Sequence, residues 1–304
     1  MRSRGHSGLE KRAAHRPQTD HPQRNDSDCP PILYIVGIGP GALDHLSPRA
    51  REVLSICDTI VGYATYIDLV RPLIDGKQII STGMTKEVDR VDAGIAAALE
   101  GRVTAIISSG DAGIYAMAGL ILEICQKRQL PLKTAGGPGA PEALQIEVVS
   151  GIPALAAGAA LLGAPLTHDF AVISLSDLLT PWETIAQRLS AAAQSDFVIV
   201  LYNPKSKRRP DNFQQACDII GRHRLPTTPA GVVTGATRDN QNVQVTTLGD
   251  LPRSEVGMQT IVFIGNSTTE TYDGFMITPR GYAGKYDISR RKGDLLPRSN
   301  SQNA

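Results

Sequence analysis

Residues 32–48, ILYIVGIGPGALDHLSP, constrain the chain more than any other stretch. Ile32, Leu33, Tyr34, Ile35 and Val36 form an apolar, partly β-branched run that predicts a buried strand. The run breaks at Gly37-Ile38-Gly39-Pro40-Gly41. A helix is expected to restart at Ser47-Pro48, with serine as N-cap and proline in the first helical position. Strand, glycine loop and helix in that order suggest a dinucleotide site, and Gly37, Gly39 and Ala42 satisfy a loose G-x-G-x-x-G/A pattern. Physical chemistry argues against it. A phosphate cradle aims backbone N–H groups at an anion, and Pro40 has none to aim. The helix also starts well past the last glycine. No acid ends the second apolar run: Asp58 precedes Thr59-Ile60-Val61, and the next acid is Asp68. The loop therefore either lines a site that binds no phosphate or is a plain connector.

At 304 residues and 41% hydrophobic content, the chain has room for about two domains. A formal net charge of +1 argues against a nucleic-acid partner. Cys29, Cys57, Cys125 and Cys217 are far apart and form no C-x-x-C pair, so neither zinc nor an iron–sulfur cluster is expected, and no metal site. Isolated cysteines suit a reducing compartment, which makes a cytoplasmic location the expectation. Residues 1–31 lack the large apolar side chains a core needs and are expected to form a disordered tail, without the apolar segment of a secretory signal. Residues 289–304 are expected to behave alike. The most apolar stretch, residues 151–166, is too short and too rich in Gly and Pro to span a bilayer, so no membrane partner is expected.

Strand and helix patterns alternate along the rest. Strands are expected near residues 32–36, 59–61, 77–80, 103–108 and 146–149, and helices over 47–57, 63–74 (weakened by Pro72), 88–99 and from the Ser109–Gly113 loop through Lys127. Residues 129–145 interrupt the rhythm with a Gly- and Pro-rich core, either a lid or a surface insertion. Residues 154–162 form an Ala-rich helix whose small side chains permit close approach to another backbone or to a ligand. A second alternation has strands at 170–175, 197–201, 231–234, 243–247 and, last, 260–264, with helices over 181–193 and 213–223. Thr180-Pro181-Trp182-Glu183 is expected to form a capping box, which makes Glu183 a cap rather than a catalytic acid. The fold class is thus α/β, with two α/β domains each carrying a mixed, mainly parallel sheet of about five strands. Their expected bounds are 32–150 and 151–288, with 151–166 as a connecting helix.

Several stretches resemble one family. Val36-Gly37-Ile38-Gly39-Pro40-Gly41 is similar to the N-terminal motif of the tetrapyrrole methylases. Ser109-Gly110-Asp111-Ala112-Gly113-Ile114-Tyr115 resembles their G-D-P loop, with Ala112 where Pro is usual, and Val149-Ser150-Gly151-Ile152-Pro153-Ala154 resembles their P-G-[IV]-[ST]-A segment. The likeness covers about residues 32–288. Gly41-Ala42-Leu43-Asp44-His45-Leu46-Ser47-Pro48-Arg49, residues 163–183 and Tyr202-Asn203-Pro204-Lys205-Ser206 resemble the branch of that family that methylates C17 of a precorrin and contracts the macrocycle on the way to cobalamin. The long 129–145 insertion and Thr167, where Gly is expected, depart from the pattern.

The resemblance implies S-adenosyl-L-methionine as cofactor, held in the cleft between the two domains, a homodimer, and an acidic tetrapyrrole as substrate. It places the opening loop against the substrate trough, where Pro40 is tolerated. Cofactor contacts carried over are Pro40, Gly110, Asp111, Ile114, Pro153, Ala154 and Asn203. Asp111 could hold the cofactor's amino or hydroxyl groups, cap a helix, or do both. Methyl transfer from a sulfonium needs alignment more than a base. Ring contraction needs proton movement, so a general acid/base is expected, with His45 first and His168 and Asp169 next. Asp44, Lys205, Lys207 and Arg208 are candidate substrate contacts. The basic run at 205–209 follows a strand end, where α/β sites lie, and could pair with substrate carboxylates or stay solvated. Competing functions are a methylase of the same fold with another acceptor, a nicotinamide oxidoreductase, and a nucleotide-binding module.

Overall fold

The structure is a computed structural model that describes residues 30–206 and 210–289. The first half runs β1 (Ile32–Gly37), α1 (Pro48–Ile56), β2 (Thr59–Tyr63), α2 (Ala64–Val70), β3 (Gln78–Thr82), α3 (Glu87–Leu99), β4 (Thr104–Ser108), α4 (Met117–Lys127), β5 (Leu132–Thr134) and β6 (Leu144–Val149). Ser47 caps α1, its Oγ accepting from the Ala50 N–H at 3.1 Å, with Pro48 next in line. Pro72 turns the end of α2 into a 3-10 turn over Arg71–Leu73. The six strands form an all-parallel sheet in the order β3-β2-β4-β1-β6-β5. Both faces are covered, which is why β1 reads as an unbroken apolar run. Leu33 and Ile35 pack with Val91 and Ile95 of α3 and Ile121 of α4. Tyr34 and Val36 point the other way, to Val53 and Leu54 of α1.

The second half continues with α5 (Ala154–Leu162), β7 (Gly163–Ala164), β8 (Phe170–Ser174), α6 (Trp182–Gln194), β9 (Val198–Tyr202), α7 (Asn212–Gly221), β10 (Pro229–Thr234), β11 (Asn242–Thr247), β12 (Thr260–Ile264), β13 (Glu270–Tyr272), β14 (Phe275–Ile277) and α8 (Tyr282–Lys285). Five strands pair in the order β11-β10-β12-β9-β8. Helices α6 and α7 cover one face of this sheet and α5 the other. The small residues of the Ala-rich helix are explained by this packing. A Cβ on Gly158 would meet the Phe263 ring at 2.9 Å, and one on Gly231 would meet the Leu162 side chain at 2.4 Å.

Several expectations need correction. The second sheet is mixed but not mainly parallel: β8–β9 is its one parallel pairing, against antiparallel β9–β12, β12–β10 and β10–β11. Strand β12 is not the last, because the β13–β14 hairpin follows and pairs with β7. Its strands are three residues each, too short to show a period. The capping box at 180–183 does not form: Pro181 takes the cap position of α6, and no side chain caps it. The 129–145 segment is partly sheet, since β5 pairs in parallel with β6 at the edge. Thr167 ties to the hairpin, its hydroxyl donating to the Thr278 carbonyl. Cys57, Cys125 and Cys217 are buried, and burial pushes the Cys57 and Cys217 thiols up to about 12. Cys29 and both expected tails beyond residues 30–289 lie outside the described residues.

The central strands β4, β1 and β6 end side by side, and the three loops leaving them touch. Gly39 and Gly110 exchange backbone hydrogen bonds of 3.0 and 2.7 Å. A Cβ on Gly151 would sit 2.2 Å from the Gly110 carbonyl oxygen and 2.6 Å from that of Gly37. Backbone atoms cannot step aside, so Gly151→Ala is expected to cost about 1–3 kcal/mol or more by overpacking. Gly119 is the internal control: it is exposed within α4, with nothing within 4 Å of an added Cβ. Gly119→Ala is expected to stabilise by about 0.5–1 kcal/mol through helix propensity. Thermal melts of the two variants should move in opposite directions, and a Gly151→Ala melt equal to that of the unsubstituted chain would refute the crowding argument.

Candidate functional site

The strand ends of both sheets face one cleft of about 300 Å³. Its walls come from the segments following β1, β2, β3, β4 and β6 of the first sheet. The second sheet adds the segments following β9 and β10 and the start of β12. Crevices beyond the carboxyl ends of parallel strands are where α/β proteins bind ligands. Here the rule holds for the first sheet and for the parallel-running ends of β9 and β10.

Pro40, Gly110, Asp111, Ile114, Pro153, Ala154 and Asn203 all line this cleft, although they are scattered over 164 positions from the first to the last. Asp111 does not cap α4, whose cap position is Ala116. Instead its carboxylate accepts from the Gly113 N–H at 2.8 Å and from the Gly151 N–H at 3.1 Å, joining the loops after β4 and β6. Each oxygen keeps a lone pair for a ligand donor. Asn203 stands at φ +52, a left-handed conformation that asparagine tolerates, and its amide donates to Ser174 Oγ at 3.0 Å.

Tyrosines missed by sequence reasoning complete the wall. The Tyr202 hydroxyl accepts from the Leu155 N–H at 3.0 Å, in the first turn of α5. Burial pushes its pKa up, so it keeps its proton as a donor. Tyr115, at φ +51, packs its ring 5.3 Å from that of Tyr202 and donates from its hydroxyl to the Val172 carbonyl at 3.0 Å. Tyr63 and Tyr66 meet edge to face at 5.3 Å on the side of the first sheet. Burial raises the Tyr66 pKa, against the field of Arg238 and Arg90.

Arg238 is the other residue that sequence reasoning missed. It lies four residues past β10, and its Nε donates to the Pro40 carbonyl at 2.8 Å, while Nη2 donates to Ser109 Oγ at 2.9 Å. One side chain of the second half thus holds two loops of the first. The available signal was Gly235 closing a strand, since strand ends were the expected place for such residues.

The remaining candidates fall elsewhere. Asp44 and His45 lie on a 3-10 turn over Leu43–His45; both are exposed, and neither lines the cleft that Pro40 enters. His168 and Asp169 stand away from this cleft. They precede β8, at the opposite end of the second sheet from Tyr202 and Asn203, a strand length of roughly 17 Å away. They line a separate hollow with Asp196 and Arg280, and His168 Nδ1 accepts from the Asp169 N–H at 2.8 Å. Lys205 is exposed, and Lys207 and Arg208 lie outside the described residues. The 129–145 segment contributes nothing to the cleft wall.

Comparison with known proteins fits this architecture. Residues 32–252 match the family model of the Tetrapyrrole (Corrin/Porphyrin) Methylases. A cobalt-factor III methyltransferase of Priestia megaterium is 46% identical over 265 residues, which are 87% of this chain and 48% of that protein, so the chain spans about half the length of that relative. A probable cobalt-factor III C(17)-methyltransferase of Salmonella typhimurium is 45% identical over 251 residues, 83% of this chain and 99% of that protein. Among solved structures, that of the methyltransferase CobJ superposes with a TM-score of 0.73 at 33% identity, covering 81% of this chain and 99% of that one. The chain belongs to the tetrapyrrole methylase family.

Proposed function

We propose that this protein is an S-adenosyl-L-methionine-dependent C-methyltransferase that methylates C17 of cobalt-factor III, or of its metal-free counterpart precorrin-3B, and contracts the ring during cobalamin biosynthesis. The observation that carries the reading is the 45% identity to a relative of that printed name along 99% of its length. The cobalt form is favoured because both relatives at 45–46% identity carry it in their names. The reading extends to two domains, bounded near residues 150–167, and to a cytoplasmic homodimer. Among the described residues no helix is long and apolar enough to cross a membrane.

The cleft suits the cofactor chemically. Its wall mixes apolar residues such as Ile114, Pro153, Val233 and Ile261 with polar ones such as Asp111, Tyr202 and Asn203, the combination a small, partly polar ligand needs. Pro40 offers no N–H to a phosphate, and S-adenosyl-L-methionine has none to bind. Pro40, Ile114, Pro153 and Ala154 would pack against it, Gly110 would admit it close to the backbone, and Asp111 and Asn203 would take its hydroxyl and amino groups. When bound, the cofactor supplies an electrophilic methyl group on a sulfonium. The protein's task is then to hold donor and acceptor carbon in line and exclude water. The macrocycle carbon is pushed by its own ring nitrogen, so no strong base is required at that step. Contraction does require proton movement, and His45 is assigned to it through a ring nitrogen: it lies on the loop whose other end is in the cleft wall. His168 and Asp169 have no part in this reading.

Purified protein, S-adenosyl-L-methionine and cobalt-factor III should yield a product heavier by one methyl group with the absorption of a contracted ring. Mass spectra showing no methylation of either substrate, but turnover of another tetrapyrrole, would move the enzyme to a different acceptor. Asp111→Asn puts an amide N–H against one of the two backbone donors. It should weaken S-adenosylhomocysteine binding by about tenfold or more, read by calorimetry, because hydrogen bonds to charged groups are worth about 1.5–3 kcal/mol. His45→Ala should leave that affinity unchanged and slow contraction by about 10²–10⁴-fold, the range for general acid–base catalysis. Product analysis giving contracted ring at the unsubstituted rate would remove His45 from the mechanism.

A further inference from the structure

Arg238 is a half-buried cation on the cleft wall, and among the described residues no carboxylate pairs with it. Its two printed bonds go to neutral acceptors, the Pro40 carbonyl and Ser109 Oγ. Burial lowers its pKa, the mark of a guanidinium that has lost water without gaining a counter-ion. A fold bears such a cost only where something offsets it.

The local chain is built to hold it there. Gly235 (φ +57) and Thr237 (φ +63) both take left-handed conformations, and for a β-branched threonine that is strained. Thr237 is held from two sides. Its N–H donates to Gln241 Oε1 at 2.8 Å, and its Oγ1 accepts from the Ala42 N–H at 3.1 Å. The stem of Arg238 then lies against Gly41, where a Cβ would come within 2.4 Å of Cγ. A second guanidinium strengthens the field. Arg90 is buried and donates to Thr82 Oγ1 (2.8 Å), the Gly83 carbonyl (3.0 Å) and Met117 Sδ (3.6 Å), again with no carboxylate paired to it among the described residues. Tyr66 lies in the field of both arginines.

We propose that Arg238 anchors a carboxylate side chain of the tetrapyrrole substrate at the first-sheet side of the cleft. The inference rests on the tetrapyrrole reading above. The alternative anion is the cofactor's own carboxylate. S-adenosyl-L-methionine also carries a sulfonium and an ammonium, so it is a net cation, which an unpaired guanidinium repels. The substrate carries more carboxylates than a single cobalt ion in its ring could balance, so it is a net anion. Arg238 offers the remaining edge of a planar fork, which suits a carboxylate better than a point charge does.

The test uses the full chain and a stable polycarboxylate tetrapyrrole, uroporphyrin III, titrated by its fluorescence into unsubstituted protein, Arg238→Gln and Arg238→Lys. S-adenosylhomocysteine is titrated beside it by calorimetry. Arg238→Gln should raise the porphyrin Kd roughly 10- to 100-fold and that of S-adenosylhomocysteine by less than about threefold, with Arg238→Lys in between for the porphyrin. The porphyrin Kd of Arg238→Gln should also depend less steeply on salt. An unchanged porphyrin Kd in Arg238→Gln would overturn the anchor. A fall in S-adenosylhomocysteine affinity as large as that for the porphyrin, in both variants, would overturn it in favour of the cofactor carboxylate. Unsubstituted protein that binds S-adenosylhomocysteine but no porphyrin would overturn the tetrapyrrole reading, and the anchor with it.

Discussion

Three neighbouring parallel strands, β4, β1 and β6, deliver their chains to one spot, and the backbones leaving them must pass within van der Waals contact. A side chain at Gly37 or Gly151 would overlap a neighbouring backbone, so the constraint is steric before it is chemical. Glycine there does not serve the conformational freedom of a phosphate cradle. It lets three loops stack, so that Gly39 can exchange hydrogen bonds with Gly110 and Asp111 can reach the Gly151 N–H. The wall of the cleft is therefore a by-product of sheet order. Residues from three distant segments become neighbours because the strands that carry them are.

Side chains from both halves tie this wall together. Tyr202 reaches the first turn of α5, Tyr115 crosses to the Val172 carbonyl, and Arg238 crosses back to Pro40 and Ser109. Each of these is a hydrogen bond between segments far apart in sequence, and the side chain in each belongs to a strand end or the loop after it. Three of the seven described non-glycine residues with positive φ, Tyr115, Asn203 and Thr237, lie at the same place. Backbone strain of this kind persists where surrounding contacts over-determine it. At Tyr115 and Thr237 those contacts join the two halves.

This division explains what could be read in advance. The first sheet was legible because its strands are buried on both faces, and unbroken apolar runs ending in glycine mark such strands. The seven cofactor candidates share one cleft for the same reason: their motifs sit at strand ends, and parallel strands end together. Pairing direction in the second sheet was not legible, since an apolar run such as Val198–Tyr202 looks the same in either sense. His168 and Asp169 stand apart from the cleft for a related reason. They begin a strand where the cleft residues end one, and without strand direction the two ends cannot be told apart. Arg238 was hidden differently. Its surroundings, Gly235-Ala236-Thr237-Arg238-Asp239-Asn240, have the composition of an ordinary turn, and its partner Pro40 is 198 positions away. No local pattern encodes a contact of that range.

The cleft also carries charges of both signs. It presents the Asp111 carboxylate with hydroxyl and amide dipoles from Tyr202 and Asn203. It also presents Arg238, bonded to Pro40 and Ser109, and Tyr66 lies in the field of Arg238 and Arg90. On the proposed reading, a cationic donor would be drawn to the Asp111 carboxylate and a polyanionic acceptor to Arg238. Loss of the donor's sulfonium charge on methyl transfer would weaken only the first of these attractions, so charges of opposite sign on one wall would let the two ligands be held and released independently.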